Sequence, residues 1–445
     1  MKKLLFFIII LLVVISEGCK KDTNTSTSQP DENTSIPSTS FRLAATPGIL
    51  QWQKCYGSSA NDNGYSITTA FDKSGYIISG NTSGNDGNVS GNHGGTDAWV
   101  AKVDLNGTIS WQTTLGGTDN EEVHGVIATM DNGYLIAAYT LSSGITGYKG
   151  GGDIWLIKLS NSGSIEWQKI IGGSSFDKAW SLINTSDGGY ALTGQTTSND
   201  GDISGNHGSG DVWVIKLDNT GNITWQKSLG GTSDEVGYSI VQSADGGYAI
   251  AGRTLSNDGD IVGYNGNGDV WVVKLNSNGD KSWTKCIGGT AMDVGFGIAT
   301  TQDNGYVITG RISGGDLLAV KLNETGNIIW QRTFGGTQTE LGKSIIAVKN
   351  PITNTEEYII VGNTNSTNGD VTNPKGGQDF WVLRLNTDGS KMNANSLGGK
   401  GTEGGEQVIV TPDGMYIAVG STSSNTGDVT GNHGLSDLWV VKFKY

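Results

Sequence analysis

The segment ILQWQKCYG (residues 49–57) has the pattern of a β-strand that, everywhere else in the chain, follows three other strands. The chain ends on DLWVVKFKY (residues 437–445), the third strand of the same pattern with no fourth strand after it. Each end therefore supplies what the other lacks. Pairing of the two segments would close a circle without free sheet edges, whereas an open solenoid would carry distinct polar caps at its ends.

Between these ends the chain repeats one unit seven times. The motif Asp-x-Trp-Val, intact or degraded, begins at Asp97, Asp153, Asp211, Asp269, Asp316, Asp379 and Asp437. Each unit has four segments of β-type alternation separated by Gly, Asn and Asp turns, which we name strands A to D. In the fourth unit they read GYSIVQS (237–243), GYAIAGR (247–253), DVWVVKL (269–275) and DKSWTKCIGG (280–289). The sequence predicts an all-β fold over residues 47–445, a seven-bladed β-propeller of four-stranded antiparallel blades, closed by the N-terminal strand that completes the last blade.

The repeat LGGT-x-(D/E)…GYSI…DGGY…D-x-W-V-x-KL…G-x-I-x-W-Q resembles the bacterial seven-bladed β-propeller repeat, called the SBBP repeat, and surface propellers of Bacteroidetes-type bacteria. The resemblance covers essentially all of residues 49–445. It implies the propeller fold and no single activity, because that family is defined by its blades.

The N-terminal residues have the pattern of an export signal. Two lysines precede an apolar run from Leu4 to Ile15 that is too short to span a bilayer, so residues 1–18 are predicted to be a signal peptide. Ser16-Glu17-Gly18-Cys19 resembles a bacterial lipoprotein cleavage box, which implies lipidation of Cys19 and anchoring to a membrane. The alternative is a plain signal peptide with an incidental cysteine. We expect an outer-membrane lipoprotein that faces the periplasm or the medium.

The composition constrains the tether and the partners. Residues 19–46 are rich in Ser, Thr, Asn and Pro, so we expect a disordered tether between the lipid and the propeller. The chain has 29 Lys and Arg against 43 Asp and Glu, a net charge of −14. This balance has the wrong sign for a phosphate backbone, and we expect no nucleic-acid partner.

The connections between strands predict where a ligand would bind. The A–B and C–D turns are short, whereas the B–C and D–A connections are long, and each pair lies on its own face of the ring. Binding residues tend to lie on loops held by a rigid scaffold, so we expect the ligand at the long-loop face. Blade five lacks the long B–C loop, because Ile312 to Gly315 lead directly to Asp316.

An acidic residue precedes strand A in every unit. These candidates for a cation site are Asp62, Glu121, Asp177, Glu235, Asp293, Glu340 and Glu403. Seven carboxylates at one channel mouth would attract a hard cation such as Ca²⁺. The favoured interpretation is that they are blade parts that accept hydrogen bonds from nearby backbone N–H groups. The same structural interpretation covers the Asp and Trp of each Asp-x-Trp motif, since the large rings would fill space between sheets.

Three further recurring features have a structural and a functional interpretation. The B–C loops carry Asn-Asp-Gly-Asp-like runs, such as those of Asp200 and Asp258, that resemble the start of a calcium loop but also build tight turns. The phrase Gly-Asn-His-Gly recurs at His93, His207 and His433, too widely spread around a ring to share one metal. Cys55 and Cys286 occupy D strands on opposite sides of the ring, which predicts two free thiols. We expect no cofactor, with Ca²⁺ as the alternative.

At the position three residues after each acidic residue, the seven units differ in residue type. The candidate ligand-binding residues are Tyr65, His124, Trp180, Tyr238 and Phe296, and the circle continues with Lys343 and Glu406. An aromatic axial pocket would suit sugar rings or a peptide side chain, although packing between blades also explains the aromatic residues. Arg253 and Arg311 end their B strands and could meet an anionic group or form salt bridges with the acidic loops.

These features together predict a binding module rather than an enzyme. We expect a membrane-anchored extracytoplasmic propeller that binds a glycan or a protein partner. The alternatives are an architectural subunit of an envelope complex and, less favoured, a polysaccharide lyase or hydrolase. The catalytic hypothesis rests on the analogy of fold, which is a weak argument for function, and no catalytic residue stands out.

Overall fold

The computed structural model describes residues 48–445, which form seven four-stranded antiparallel sheets arranged as a ring. This confirms the predicted seven-bladed β-propeller. The signal peptide, Cys19 and the tether predicted for residues 1–46 lie outside the described residues. Within residues 48–445 there is no helix with the length and hydropathy needed to cross a bilayer.

The first described strand, β1 (Ile49–Tyr56), belongs to the last blade. Blade 1 consists of β2 (Asp62–Thr69), β3 (Gly75–Thr82), β4 (Asp97–Asp104) and β5 (Ile109–Leu115). Blade 2 consists of β6 (Glu121–Ala128), β7 (Tyr134–Thr140), β8 (Asp153–Leu159) and β9 (Ile165–Ile171). Blade 3 consists of β10 (Asp177–Asn184), β11 (Tyr190–Thr196), β12 (Asp211–Leu217) and β13 (Ile223–Leu229).

The remaining blades repeat the same order of strands A to D. Blade 4 has β14 (Glu235–Gln242), β15 (Tyr248–Thr254), β16 (Asp269–Leu275) and β17 (Lys281–Ile287). Blade 5 has β18 (Val294–Thr300), β19 (Tyr306–Arg311), β20 (Leu317–Leu322) and β21 (Ile328–Phe334). Blade 6 has β22 (Glu340–Lys349), β23 (Glu356–Thr364), β24 (Asp379–Leu385) and β25 (Lys391–Leu397). Blade 7 has β26 (Glu403–Val410), β27 (Tyr416–Thr422), β28 (Asp437–Lys444) and, from the other end of the chain, β1.

The ring closes where the two ends of the chain meet in blade 7. Strand β1 runs antiparallel to β28, from Ile49 opposite Lys444 to Tyr56 opposite Leu438. Gln53 Oε1 accepts a hydrogen bond from the Trp439 indole N–H at 2.7 Å. The Tyr56 hydroxyl donates to the Gly107 carbonyl of blade 1 at 2.6 Å. The first strand therefore completes one blade and bonds to the next.

The hydrophobic core is divided among the junctions between blades. Each cluster of buried residues combines side chains of neighbouring sheets, as Val212 and Trp271 do between blades 3 and 4. The Trp residues of the Asp-x-Trp motifs are between 0 and 4 % exposed, which confirms that they fill space between sheets: Trp99, Trp155, Trp213, Trp271, Trp381 and Trp439. Burial of each such ring stabilises the fold by about 2–3 kcal/mol.

A second set of tryptophans joins neighbouring blades near the outer edge of the ring. Trp167 of β9 lies against Gly221 in the C–D turn of blade 3, where φ is +77° and a Cβ would meet the indole at 2.6 Å. Trp111 donates to the Asn161 carbonyl of the next turn at 2.9 Å. The same Trp-over-Gly contact joins six pairs of blades. Strand β25 has Asn393 at this position, and the following blade has no C–D turn because its two outer strands come from opposite ends of the chain.

The two faces of the ring differ as the sequence predicts. The A–B and C–D turns form a short-turn face, and the D–A and B–C connections form a long-loop face. Blade 5 lacks the long B–C loop, since only residues 312–316 separate β19 from β20. Cys55 and Cys286 are buried and unpaired, as predicted, and burial raises the pKa of each thiol to about 12.

Candidate functional site

The residues that break the sevenfold pattern form a ring around the propeller axis, which we call the girdle. Its members are Tyr65, His124, Trp180, Tyr238, Phe296, Lys343 and Glu406. Each occupies a β-bulge in strand A, because the pairing with strand B skips this residue in all seven blades. A bulge turns one side chain out of the regular alternation. Strand A is the innermost strand, so the bulge places these side chains on the axis.

Contacts between neighbouring side chains run through the girdle from blade 1 to blade 7. The ring centroids lie 5.3 Å apart for Tyr65 and His124, and 4.4 Å apart for His124 and Trp180. The arc continues through Tyr238 to Phe296, with separations of 5.5 and 5.2 Å.

The two remaining members of the girdle form a polar sector. The Lys343 ammonium lies 4.9 Å from the centre of the Phe296 ring and 3.3 Å from the Glu406 carboxylate. The girdle therefore has an aromatic arc on blades 1 to 5 and an ion pair on blades 6 and 7. The sequence predicted the aromatic members as ligand-binding residues, and the structure brings all five together.

A charge pair with a buried lysine supports the aromatic arc on the side of the long loops. Lys178 forms a salt bridge with Glu122, and its ammonium lies 4.4 Å from the centre of the Trp180 ring. His124 Nε2 lies 3.3 Å from the same carboxylate. Burial lowers the pKa of His124 to about 4, so the imidazole is uncharged at neutral pH. The hydrogen bonds from His124 and Lys178 lower the pKa of Glu122 to about 2.

A cavity of about 740 Å³ lies along the axis and has the girdle as its floor. Its wall follows strand A from the girdle toward the A–B turns, as in blade 1 from Tyr65 to Thr68 and in blade 3 from Trp180 to Asn184. The lining contains no residue of the D–A or B–C loops. The cavity therefore extends toward the short-turn face, whereas the sequence predicted binding at the long-loop face.

The cavity wall combines aliphatic side chains with a band of hydroxyl and amide groups. Isoleucines and Leu182 alternate with serines that bond across the blade junctions. Ser66 Oγ accepts the Val126 N–H of blade 2 at 3.1 Å, and Gln407 Oε1 accepts the Ile67 N–H at 2.7 Å. Only two of the lining side chains carry a charge, and these are the paired Lys343 and Glu406 of the girdle. A neutral wall above a partly aromatic floor suits an uncharged ligand.

The acidic residues at the start of strand A do not gather at a channel mouth. Asp62, Glu121, Asp177, Glu235, Asp293, Glu340 and Glu403 are 0 to 2 % exposed. Each accepts a backbone N–H from its own D–A loop at 2.6 to 3.0 Å, as Glu235 does from Gly231. In blade 4 the Thr254 hydroxyl also donates to Glu235 at 2.8 Å. These bonds match the blade-part interpretation, and the described residues contain no group of three or more His, Cys, Asp and Glu side chains that could hold a metal.

The Asp of each Asp-x-Trp motif lies beside this acidic residue. The Asp211 carboxylate accepts the His207 N–H at 3.1 Å, and corresponding bonds recur in other blades. The first glycine of the Gly-Gly pair sits against both acids, so a Cβ on Gly230 would lie 2.5 Å from Asp211 Oδ1 and 2.6 Å from Glu235 Oε2. Each junction thus encloses two carboxylates packed against a glycine.

This arrangement predicts a pH dependence of stability through Asp379. Burial and repulsion from Glu403 raise the pKa of Asp379 to about 6, although the hydrogen bond from the Lys375 N–H lowers it. The unfolded value is about 3.9, so the folded state binds the extra proton and this contribution to stability is lost as the pH rises from about 4 through 6. The free energy of unfolding of the wild type should fall relative to that of Asp379→Asn by about 2 kcal/mol over this range.

Urea unfolding of the two chains at pH 4.5, 6 and 8 measures this difference. The asparagine keeps the acceptor for Lys375 and removes the titration, so the two curves should diverge toward pH 8, with the variant more stable. A difference in free energy that stays constant with pH would contradict the assignment.

The loop acids and histidines are engaged within the loops. Asp200 Oδ1 accepts the Ser174 N–H and Asp258 Oδ1 accepts the Thr232 N–H, each at 2.8 Å, as the turn interpretation expects. The ring nitrogens of His93, His207 and His433 lie 2.6 to 2.8 Å from the aspartate four residues later. The recurring histidine therefore stabilises its own loop in each of the three blades.

Arg253 and Arg311 occupy equivalent positions at the ends of their B strands but differ in their ion pairs. Arg253 forms a salt bridge of 2.7 Å with Asp234 of its own D–A loop, which matches the salt-bridge alternative. Arg311 ends β19 and is half-buried, and no ion pair in residues 48–445 involves it. Neither residue lines the axial cavity.

Comparisons with known proteins give one partial relative and several distantly similar structures. No protein-family model matches the chain. A regulatory protein of Caulobacter vibrioides, FlaEY, is 31 % identical over 133 residues, which are 27 % of this chain and 14 % of that protein. The chain therefore spans about a seventh of the length of this curated relative.

The solved structures that resemble this chain are distant in sequence. The WD40 domain of Neurospora crassa Pan2 is 9 % identical with a TM-score of 0.49, covering 87 % of this chain and 97 % of that one. YCF48 bound to the D1 peptide is 10 % identical with a TM-score of 0.48, covering 91 and 97 %. A Bacteroides caccae protein of unknown function is 11 % identical with a TM-score of 0.40, covering 67 and 89 %.

Proposed function

We propose that the protein is a membrane-anchored extracytoplasmic lipoprotein whose propeller binds a ligand in the axial cavity. The observation that carries this proposal is the cavity of about 740 Å³ floored by the girdle, which has the size of pockets that bury small ligands or short segments of a partner. The lipid on Cys19 and the tether would hold the propeller at a membrane and leave its faces accessible.

The chemistry of the cavity supports binding over catalysis. Hydrolysis of a glycosidic bond generally uses two carboxyl groups about 5 to 9.5 Å apart, and the lining supplies one, Glu406. That carboxylate is paired with Lys343 at 3.3 Å. The imidazole of His124 is buried between two aromatic rings. A polysaccharide-degrading enzyme is therefore the less favoured alternative, and an envelope scaffold without a ligand is the other.

A cavity-filling variant tests the proposal before the ligand is identified. Thr68 is half-buried and lines the wall, so Thr68→Trp should fill part of the cavity and abolish binding while the melting temperature changes by only a few degrees. Val262 lies in the B–C loop of blade 4 and is 69 % exposed, which makes Val262→Trp a matched control on the long-loop face.

The assay is native electrophoresis of the full chain through gels that contain different polysaccharides, with crosslinking on the producing cells for a protein partner. We expect one retarded band or one crosslinked partner that Thr68→Trp loses and Val262→Trp keeps. Loss in Val262→Trp with retention in Thr68→Trp would move the site to the long-loop face and overturn the proposal. A zone cleared of polysaccharide would favour the enzyme.

A further inference from the structure

The rim of the axial cavity is apolar on one side only. The A–B turns and the end of strand A in four adjacent blades expose large apolar side chains: Ile352 (92 %) in blade 6, Val410 (45 %) in blade 7, Phe71 (55 %) in blade 1 and Met130 (69 %) in blade 2. The matching turns of blades 3, 4 and 5 expose Ser186, Ala244 and Gln302 instead. We call the first group the apolar rim. Exposed apolar side chains grouped in one sector are typical of interaction surfaces.

The apolar rim continues into the wall of the cavity. The half-buried Ile127 and Ile409 line the cavity in blades 2 and 7. In blade 6 the A–B hairpin is longer than in the other blades, because β22 has ten residues and Ile352 stands at the tip of the turn. A ligand that enters here meets aliphatic side chains together with hydroxyl groups between the rim and the girdle.

Most charged side chains of the A–B hairpins are held in ion pairs. In every blade a Lys or Arg of strand C binds an acid of the A–B hairpin, as Lys158 binds Asp131 at 3.0 Å and Lys442 binds Asp413 at 2.8 Å. Corresponding ion pairs, between 2.7 and 3.5 Å, occur in the other five blades. Lys73 and Lys349, on the hairpins of blades 1 and 6, are exposed and form no ion pair within residues 48–445. Inside the cavity, the two charged lining residues, Lys343 and Glu406, are paired with each other.

We propose that the ligand is a segment of a partner protein that carries consecutive uncharged aliphatic or aromatic side chains. The segment would dock on the apolar rim of blades 6, 7, 1 and 2 and insert its apolar side chains into the axial cavity. This inference rests on the proposed function and specifies its ligand. The cavity volume suits a few residues of chain rather than a whole domain.

The placement of the aromatic side chains favours a peptide over a glycan. Sugar rings stack on flat, open aromatic faces, whereas the girdle rings are tilted by 53 to 60° against one another and lie at the floor. The large apolar side chains that are exposed at the rim are Phe71, Met130, Ile352 and Val410. Aliphatic and aromatic protein side chains gain most from burial on such a surface.

A phage-displayed library of random dodecapeptides, selected on the immobilised full chain, tests this inference. We expect enrichment of peptides with uncharged runs of aliphatic and aromatic residues. A synthetic peptide of the enriched sequence should bind Phe71→Ser/Met130→Ser at least tenfold more weakly than the wild type. Ala244→Ser/Gln302→Ser, at the matching turns of blades 4 and 5, is the control and should bind within twofold of the wild type.

The outcomes separate this inference from the proposed function. Both the proposed function and this inference are supported if Thr68→Trp loses peptide binding and Phe71→Ser/Met130→Ser binds the peptide more weakly. Enrichment of charged peptides, or equal binding by the two double variants, overturns the apolar-segment inference. Retention by a polysaccharide that Thr68→Trp abolishes would keep the cavity as the site and replace the peptide by a glycan. If Thr68→Trp changes the binding of no probe, both the proposed function and this inference are overturned.

Discussion

Deletion of residues 49–56 is expected to lower the melting temperature by about 10 °C. The deletion removes β1, which is the outer strand of blade 7 and joins the two ends of the described chain. Tyr56 is 3 % exposed and Cys55 is 8 % exposed, and with the half-buried Trp52 they bury surface that contributes on the order of 5 kcal/mol. The loss also exposes β28 as a free sheet edge, which favours association between chains.

Differential scanning calorimetry of the deleted chain against a chain that lacks residues 22–46 measures this effect. The second deletion leaves residues 48–445 complete, so its melting temperature should stay within about 2 °C of the wild type. Equal shifts for the two deletions would contradict closure of the ring by the first strand.

The second large effect is expected from Gly230→Ala. The new Cβ would lie 2.5 Å from Asp211 Oδ1 and 2.6 Å from Glu235 Oε2, both of which are fully buried. Separation of these carboxylates would weaken the hydrogen bond from the Gly231 N–H at 2.8 Å and leave a buried charge poorly satisfied. We expect a loss of about 3 kcal/mol in the free energy of unfolding, from overpacking and the disturbed hydrogen bond together.

The control for this substitution is Gly144→Ala. A Cβ added to Gly144 would meet no atom within 4 Å, and the residue has no positive φ, so alanine should change the free energy of unfolding by less than about 0.5 kcal/mol. Urea unfolding of both variants gives the comparison. An equally small loss of stability in Gly230→Ala and in the control would contradict this explanation. The packing of the two carboxylates would then not require glycine at position 230.

The repeat pattern was sufficient to predict the fold because each blade folds by local rules. Alternation and turn residues define four strands, and the incomplete units at residues 49–57 and 437–445 define how the ring closes. The girdle was also predictable, since its residues stand at one fixed spacing after the acidic position. The pairing of Lys343 with Glu406 and the contacts along the aromatic arc needed the three-dimensional order of the blades.

The direction of the cavity was not predictable from loop length. Long loops are visible in the sequence, whereas the bulge that turns residues such as Tyr65 and Trp180 onto the axis is a property of strand pairing. The bulge also separates the surroundings of the acidic residue from those of the girdle residue on the same strand. Asp177 points into its own D–A loop, and the girdle residue three positions later points to the axis, so one strand serves two separate environments.

The most direct test of the account is protection of an engineered cysteine by the ligand. The two cysteines of residues 48–445 are buried, with thiol pKa values raised to about 12, so Thr68→Cys and Val262→Cys each add one accessible thiol at the cavity wall or the long-loop face. Labelling with a small maleimide is measured by mass spectrometry with and without the ligand found in the gels or the peptide library. We predict that the ligand protects the thiol at position 68 and leaves position 262 reactive. Protection of position 262 with unchanged labelling at position 68 would contradict the axial binding site.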